Sequence, residues 1–130
     1  GMAISVKCPE ELLADINVPL IQRAVTNLVD NAIKYSPPHT AIEVTGAPAP
    51  EGITLSVRDH GPGIAAEHRE RIFERFYRVD KSRSRKLGGT GLGLSIVRHA
   101  ADMHGGTVSV QSVVGEGSVF TLVLPPAAAP

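Results

Sequence analysis

The sequence predicts an α+β fold, on three observations. A helical apolar stripe runs from Leu20 to Ile33. Two pairs of alternating strands are joined by glycine- and proline-marked turns. Between them, Gly88 to Val97 (Gly-Gly-Thr-Gly-Leu-Gly-Leu-Ser-Ile-Val) opens a further helix with closely spaced glycines. At 130 residues the chain is long enough for one domain with one core. Its 42% hydrophobic and 20% charged residues are ordinary for a globular domain. Thirteen basic and thirteen acidic residues cancel, so composition makes no electrostatic case for nucleic acid. The single cysteine, Cys8, excludes an internal disulfide and fits a reducing compartment. No apolar run reaches the roughly 18–20 residues of a membrane span, and no signal peptide is read at the start. Gly1-Met2 reads as a tag remnant, and the proline- and alanine-rich end at 126–130 as a frayed tail.

Taken in order, Ala3 to Lys7 alternates as a short strand, and Leu13 to Asn17 is read as a second. Asn17 is a natural cap for a helix opened by Val18-Pro19 and closed before Pro37-Pro38. Leu20, Ala24, Leu28 and Ala32, flanked by Ile21, Val25, Val29 and Ile33, give this helix a broad core stripe. Asn27, Asn31 and Lys34 fall within roughly 60° of one another on a different face. Asparagine is a mediocre helix former, so two on one face need a reason. Amide oxygens are hard neutral donors that suit Mg²⁺ in company with phosphates, and a lysine one turn on meets phosphate as a point charge. A merely solvated face fits the same spacing.

Thr40 to Thr45 and Ile53 to Val57 read as strands, with Gly46 to Gly52 the loop between them. The second delivers the chain to Asp59-His60-Gly61-Pro62-Gly63-Ile64. A carboxylate at a strand end, before a glycine–proline–glycine bend, is well placed to accept from a ligand amine, and such a charge-assisted bond contributes about 1.5–3 kcal/mol. An exocyclic amine there selects adenine over guanine; a turn-capping aspartate is the plain alternative. Gly61, Gly63 and Ala66, with Asp80 further on, meet the letter of a dinucleotide-binding fingerprint. That reading fails because Asp80 does not end a second apolar strand. Glu67 to Tyr77 reads as a short helix whose aromatics pin a loop to the core. Val79 to Gly89, poor in apolar residues, is expected to be mobile. The glycines at 89, 91 and 93 let a backbone approach a ligand closely, and the helix they open directs its unpaired N–H groups at an anion. With the basic run Arg75, Arg78, Lys81, Arg83, Arg85 and Lys86 just upstream, this suggests a phosphate cradle. The helix continues to about His104 and is stopped by Gly105-Gly106. Thr107 to Val113 and Ser118 to Leu124 form a hairpin around Gly115-Glu116-Gly117. The five histidines show no metal-ligand spacing. No phosphate-binding loop of the Gly-x-x-x-x-Gly-Lys-Ser/Thr kind and no nucleophile elbow is present.

Four stretches together resemble the ATP-binding catalytic domain of bacterial two-component sensor histidine kinases, in the gyrase–Hsp90–histidine kinase–MutL ATPase superfamily. Asn27-Leu-Val-Asp-Asn31-Ala-Ile-Lys34-Tyr35-Ser resembles the asparagine box. Asp59-His-Gly61-Pro-Gly63-Ile64 resembles the first glycine box. Arg71-Ile-Phe73-Glu-Arg-Phe76-Tyr-Arg resembles the phenylalanine box, and Gly89-Thr90-Gly91-Leu92-Gly93-Leu94 the second glycine box. The resemblance implies a two-layer α/β sandwich of the Bergerat type, a mixed sheet of about five strands on three helices. It implies ATP and Mg²⁺ as cofactors. Asn31 would hold the metal, with Asn27 assisting near the phosphates and Lys34 reaching them. Tyr35 would pack by the adenine and Asp59 bind its amine, with Gly61, Gly63 and Ile64 shaping the base pocket. Gly89, Thr90, Gly91, Leu92, Gly93 and Leu94 would wrap the triphosphate. Residues 78–88 would form an ATP lid, from which Arg83 or Arg85 touches phosphate. His60 departs from the family's usual Asp or Asn.

In the hydrolysing relatives a glutamate activates water at the position of Asn27. An amide is no general base at neutral pH, so the resemblance implies transfer rather than hydrolysis. The phosphoacceptor histidine is expected on a separate dimerisation domain, with relay to a response regulator. The chain is expected to be a monomeric, cytoplasmic domain of a membrane-bound parent, without nucleic-acid partners. A serine kinase of the anti-sigma-factor type is disfavoured by Asn27, where such proteins usually carry an acid. A purely ATP-sensing module shares the same boxes and stays open.

Overall fold

The computed structural model describes residues 3–7, 17–50, 52–74, 77 and 93–125. Eight elements follow in order: β1 (Ala3–Lys7), α1 (Val18–Tyr35), β2 (Ala41–Ala49), β3 (Gly52–Asp59), α2 (Ala66–Arg69), α3 (Gly93–Met103), β4 (Thr107–Val113) and β5 (Gly117–Leu124). The strands form one sheet in the order β1-β2-β3-β5-β4. Four of them, β2-β3-β5-β4, are antiparallel, and β1 joins parallel to β2 at one edge.

Helix α1 starts where its cap says it should. The Asn17 side chain accepts from Leu20 N–H at 3.1 Å, and Pro19 sits in the first turn, where no N–H is needed. Ile21, Ala24, Leu28 and Ala32, spaced by three and four, are its buried residues. Helix α3 buries Val97, Ala100 and Ala101. It ends in a Schellman motif: Gly106 N–H donates to Ala101 O at 2.9 Å, Gly105 N–H to Asp102 O at 3.1 Å, and Gly105 takes φ +68°.

The inner sheet face supplies the other half of the core. Val44, Val57, Phe120 and Val110 stand side by side across four strands, and Leu55, Leu122 and Val108 make a second row. Phe73 meets Phe120 edge-on, with ring centroids 6.1 Å apart. Thr45, Ser56, Thr121 and Ser109 line up on the opposite face, the period-two alternation of a sheet packed on one side.

Three element boundaries differ from the sequence reading. Strand β2 runs through Gly46, Ala47 and Pro48 to Ala49, where a loop is expected. Among the described residues its pairing with β1 ends at Thr45, so the missing N–H of Pro48 interrupts no second ladder described there. Strand β3 lengthens correspondingly at both ends. The helix expected over Glu67 to Tyr77 is α-helical only across Ala66–Arg69. It gives way to turns whose bonds span three residues, such as Glu74 N–H to Arg71 O at 2.9 Å and Tyr77 N–H to Glu74 O at 3.2 Å. These turns let the consecutive Ile72 and Phe73 both be buried. The expected strand at 13–17 lies outside the described residues except for Asn17, and the expected mobile stretch at 79–89 lies wholly outside them.

Candidate functional site

Two ends of one surface carry the sequence-predicted side chains. The first is the asparagine face of α1. Asn27, Asn31 and Lys34 are all half-buried beside the core stripe. Asn27 Nδ2 donates to Gly93 O at 3.4 Å, so this face meets the first residue of α3. A Cβ at Gly93 would find nothing nearer than Asn27 Cβ at 4.0 Å among the described residues. The glycine therefore keeps an approach open rather than resolving a clash. Helix α3 brings a partly positive N-terminus to the Asn27 amide. Lys34 Nζ pairs with Asp30 Oδ2 at 3.1 Å, an i,i+4 contact with both ends partly in water, and such a pair contributes little stability. The ammonium is thus kept at the face at small cost to any rearrangement toward an anion. No three His, Cys, Asp or Glu side chains cluster among the described residues, so the metal expectation rests on the amide of Asn31.

The second end is built around Asp59, which is only 7% exposed. Gly61 N–H donates to its Oδ1 at 2.9 Å. Burial pushes its carboxyl above the usual carboxylate range, against the opposing pull of the Gly61 and Ser118 backbone N–H groups and of His60. A carboxylate has about four acceptor positions. The two backbone donors leave capacity for an incoming N–H, and desolvation makes that bond the more valuable. Glycine is required on the neighbouring loop for steric reasons. A Cβ at Gly61 would lie 2.9 Å from Tyr35 O and 3.1 Å from Asp59 Oδ1. At Gly63, with φ +77°, it would lie 2.3 Å from Val113 O. The loop is therefore laid directly against the C-terminal end of α1, which brings Tyr35 beside Asp59. Ser36, next in the chain, is 7% exposed, and its Oγ finds no partner in the described protein. A buried carboxylate with spare acceptor capacity fits a polar ligand bearing an amine.

Ile64 and Leu94, the apolar residues expected near the ligand, are half-buried and pack on the main core. The expected phosphate-binding residues Arg83, Arg85, Gly89, Thr90, Gly91 and Leu92 lie outside the described residues. Three residues that matter here escape the motif reading: Ser112, Ser118 and Arg69. Ser112 Oγ accepts from Ile64 N–H at 2.7 Å and lies 2.8 Å from Ser118 Oγ. Arg69 Nη2 donates to Ser112 O at 2.5 Å. A signal was available. Ser112 shares the strand face of Val108 and Val110, and Ser118 that of Phe120 and Leu122, so each places a hydroxyl where alternation calls for an apolar residue.

Residues 16–128 match the model of the family described as histidine kinase-, DNA gyrase B-, and HSP90-like ATPase. The sensor-like histidine kinase SenX3 of Mycolicibacterium smegmatis is 50% identical over 106 residues, which are 82% of this chain and 28% of SenX3. The chain thus spans little more than a quarter of that relative. The catalytic domain of histidine kinase ThkA superposes with a TM-score of 0.83 at 29% identity, covering 98% of this chain and 82% of that one. Full-length ShkA in complex with AMPPNP superposes with a TM-score of 0.78 at 30% identity, covering 99% of this chain and 27% of that one. The chain belongs to the histidine kinase-, DNA gyrase B-, and HSP90-like ATPase family, as the catalytic domain of a sensor histidine kinase.

Proposed function

We propose that this domain binds Mg·ATP and transfers the γ-phosphate to a histidine on the dimerisation domain of its parent kinase, for relay to a response regulator. The observation that carries the reading is the buried Asp59 carboxylate, with acceptor capacity left after Gly61 and Ser118 have donated. Asp59 accepts from the adenine amine. Tyr35, Gly61, Gly63 and Ile64 shape the slot for the ring. Guanine presents a carbonyl at the corresponding position and would set oxygen against carboxylate, so the pocket selects against it. The AMPPNP held by ShkA supports a nucleotide on this fold.

At the other end, Asn27, Asn31 and Lys34 face the start of α3 and receive the phosphates, with Gly93 and Leu94 opening the helix there. Mg²⁺, held by Asn31, would neutralise charge on the phosphate oxygens. Arg83, Arg85, Gly89, Thr90, Gly91 and Leu92 belong, on the family pattern, to the lid and cradle that close over the triphosphate. The chain's own contribution is positioning and charge, because the amide of Asn27 activates no water. The acceptor imidazole nitrogen of the other domain attacks the γ-phosphorus as the bond to the β-phosphate oxygen breaks, and ADP leaves. The parent is a membrane receptor with this domain on its cytoplasmic side.

Calorimetric titration tests the reading. ATP should bind saturably and GTP should not, with ATP affinity strengthened by Mg²⁺. Equal binding of GTP would remove the amine-selective role of Asp59, and no nucleotide binding would remove the pocket.

A further inference from the structure

Ser112 lies outside every stretch that carries the family resemblance, on β4. A hydroxyl has one proton and two acceptor positions, and this one uses all three. Its Oγ donates to Gly117 O at 2.9 Å and accepts from Ile64 N–H at 2.7 Å. With its proton on Gly117 O, the 2.8 Å contact to Ser118 Oγ is an acceptance, which makes Ser118 the donor. Ser118 then gives its backbone N–H to Asp59, and Gly117 packs so closely on Asp59 that a Cβ would lie 2.2 Å from Asp59 O. On the other side, Arg69 clamps the same loop, with Nε to Ile64 O at 3.3 Å and Nη2 to Ser112 O at 2.5 Å. Gly115 N–H donates to Pro62 O at 2.8 Å. The loop from Gly61 to Ile64 and the carboxylate it serves are therefore fixed to one hairpin, with the buried Ser112 hydroxyl at the centre of the links.

We infer that Ser112, braced by Arg69, is a positioning residue for nucleotide binding: it sets where the base-binding loop and Asp59 stand relative to each other. This rests on the adenine pocket proposed above. The side chain bonds to the loop at Ile64 and to its own hairpin at Gly117 and Ser118, so its removal acts on the base end alone. Ser112→Ala leaves the Ile64 N–H and Gly117 O without their partner. ATP and ADP should each lose about tenfold in affinity, the size expected for one orphaned buried pair. The ATP-to-ADP ratio and the Mg²⁺ dependence should stay at their wild-type values, because the phosphate end is untouched. Ser112→Thr, which keeps the hydroxyl, should recover most of the loss. The Ile64 amide should exchange with solvent faster in Ser112→Ala than in the wild type, and slow again in Ser112→Thr.

The titrations are run with the 130-residue chain well below its melting temperature. A Ser112→Ala protein that melts earlier but binds both nucleotides like wild type has lost only structure, and the inference falls. A loss confined to ATP, or a changed Mg²⁺ dependence, also overturns it. Should Ser112→Ala not fold, Arg69→Met decides: about threefold weaker binding of both nucleotides supports the inference, unchanged binding rejects it. A wild type that binds neither nucleotide defeats the adenine pocket itself, a result separate from a wild type that binds beside an equally competent Ser112→Ala.

Discussion

Burying the Asp59 carboxyl raises its pKa above the ordinary 3.8, so the folded chain holds that proton more tightly than the unfolded chain does. The sign follows. Its contribution to stability is fully present below the unfolded value and is lost as pH rises through the folded one. Above the folded value the domain carries an ionised, desolvated carboxylate at a net cost. Asp59→Asn removes that charge while leaving an Oδ1 to accept from Gly61. The nucleotide-free variant should therefore melt higher than wild type at pH 7, with the gap narrowing toward pH 4, as differential scanning calorimetry at both pH values would show. The same variant should bind ATP about ten- to a hundredfold more weakly, since the bond to the adenine amine loses its charge. A variant that is no more stable yet binds as before would contradict both statements. Asn31→Ala addresses the other end: ATP affinity should become nearly independent of Mg²⁺, and an unaltered Mg²⁺ response would place the metal elsewhere.

Helix α1 is the element that the sequence displays most fully, because each signal for it is local. Cap, proline, stripe and stop all lie within the helix or next to it. Asn17→Ala should cost about 1 kcal/mol through the lost Leu20 N–H bond, read as a lower urea midpoint at unchanged slope. The backbone N–H of Asn17 is also tied, at 2.8 Å, to His104 Nε2, whose Nδ1 lies 2.7 Å from Ala100 O. The two bonds together specify the neutral imidazole with its proton on Nδ1. No local pattern reveals this link, which joins residues 87 apart in the chain. The β4–β5 turn makes the same point with glycines. Gly115 and Gly117 look alike in sequence, and both have positive φ. A Cβ at Gly115 meets nothing within 4 Å, whereas at Gly117 it would lie 2.2 Å from Asp59 O. Gly115→Ala should cost about 1–2 kcal/mol of backbone strain. Gly117→Ala should cost more, about 3 kcal/mol or above, and should weaken ATP binding because it displaces Asp59. Denaturation midpoints with a nucleotide titration on each variant separate the two positions.

At the scale of the whole domain, the hairpins can be read from turn residues, but the strand order cannot. Nothing local says that β3 lies between β2 and β5, and that order sets Asp59 opposite Ser118 and brings Ser112 within reach of Ile64. The motifs that carry the family resemblance were legible because chemistry restricts their residue types. The hydroxyls of Ser112 and Ser118 show in the sequence only as breaks in an apolar alternation, and what they bond cannot be read until the pairing is known. The finished arrangement also bears on what the domain does alone. The proposed phosphate end lies at Asn27 and Gly93, whereas His60 stands beside Asp59 at the proposed base end. Both ring nitrogens of His104 are engaged, and His68 is bound to Tyr77 through Nδ1. On the proposed placement of the γ-phosphate between the α1 asparagines and α3, none of these three imidazoles is offered to it, and Asn27 provides no base to activate water. Incubated with γ-³²P-labelled ATP and Mg²⁺, the chain should retain no label and release inorganic phosphate only slowly. Adding a helical dimerisation domain with its phosphoacceptor histidine should produce an acid-labile label on that added domain. Stable label on the 130-residue chain itself would show that an imidazole reaches the γ-phosphate from within, and would overturn the division of labour between the two domains.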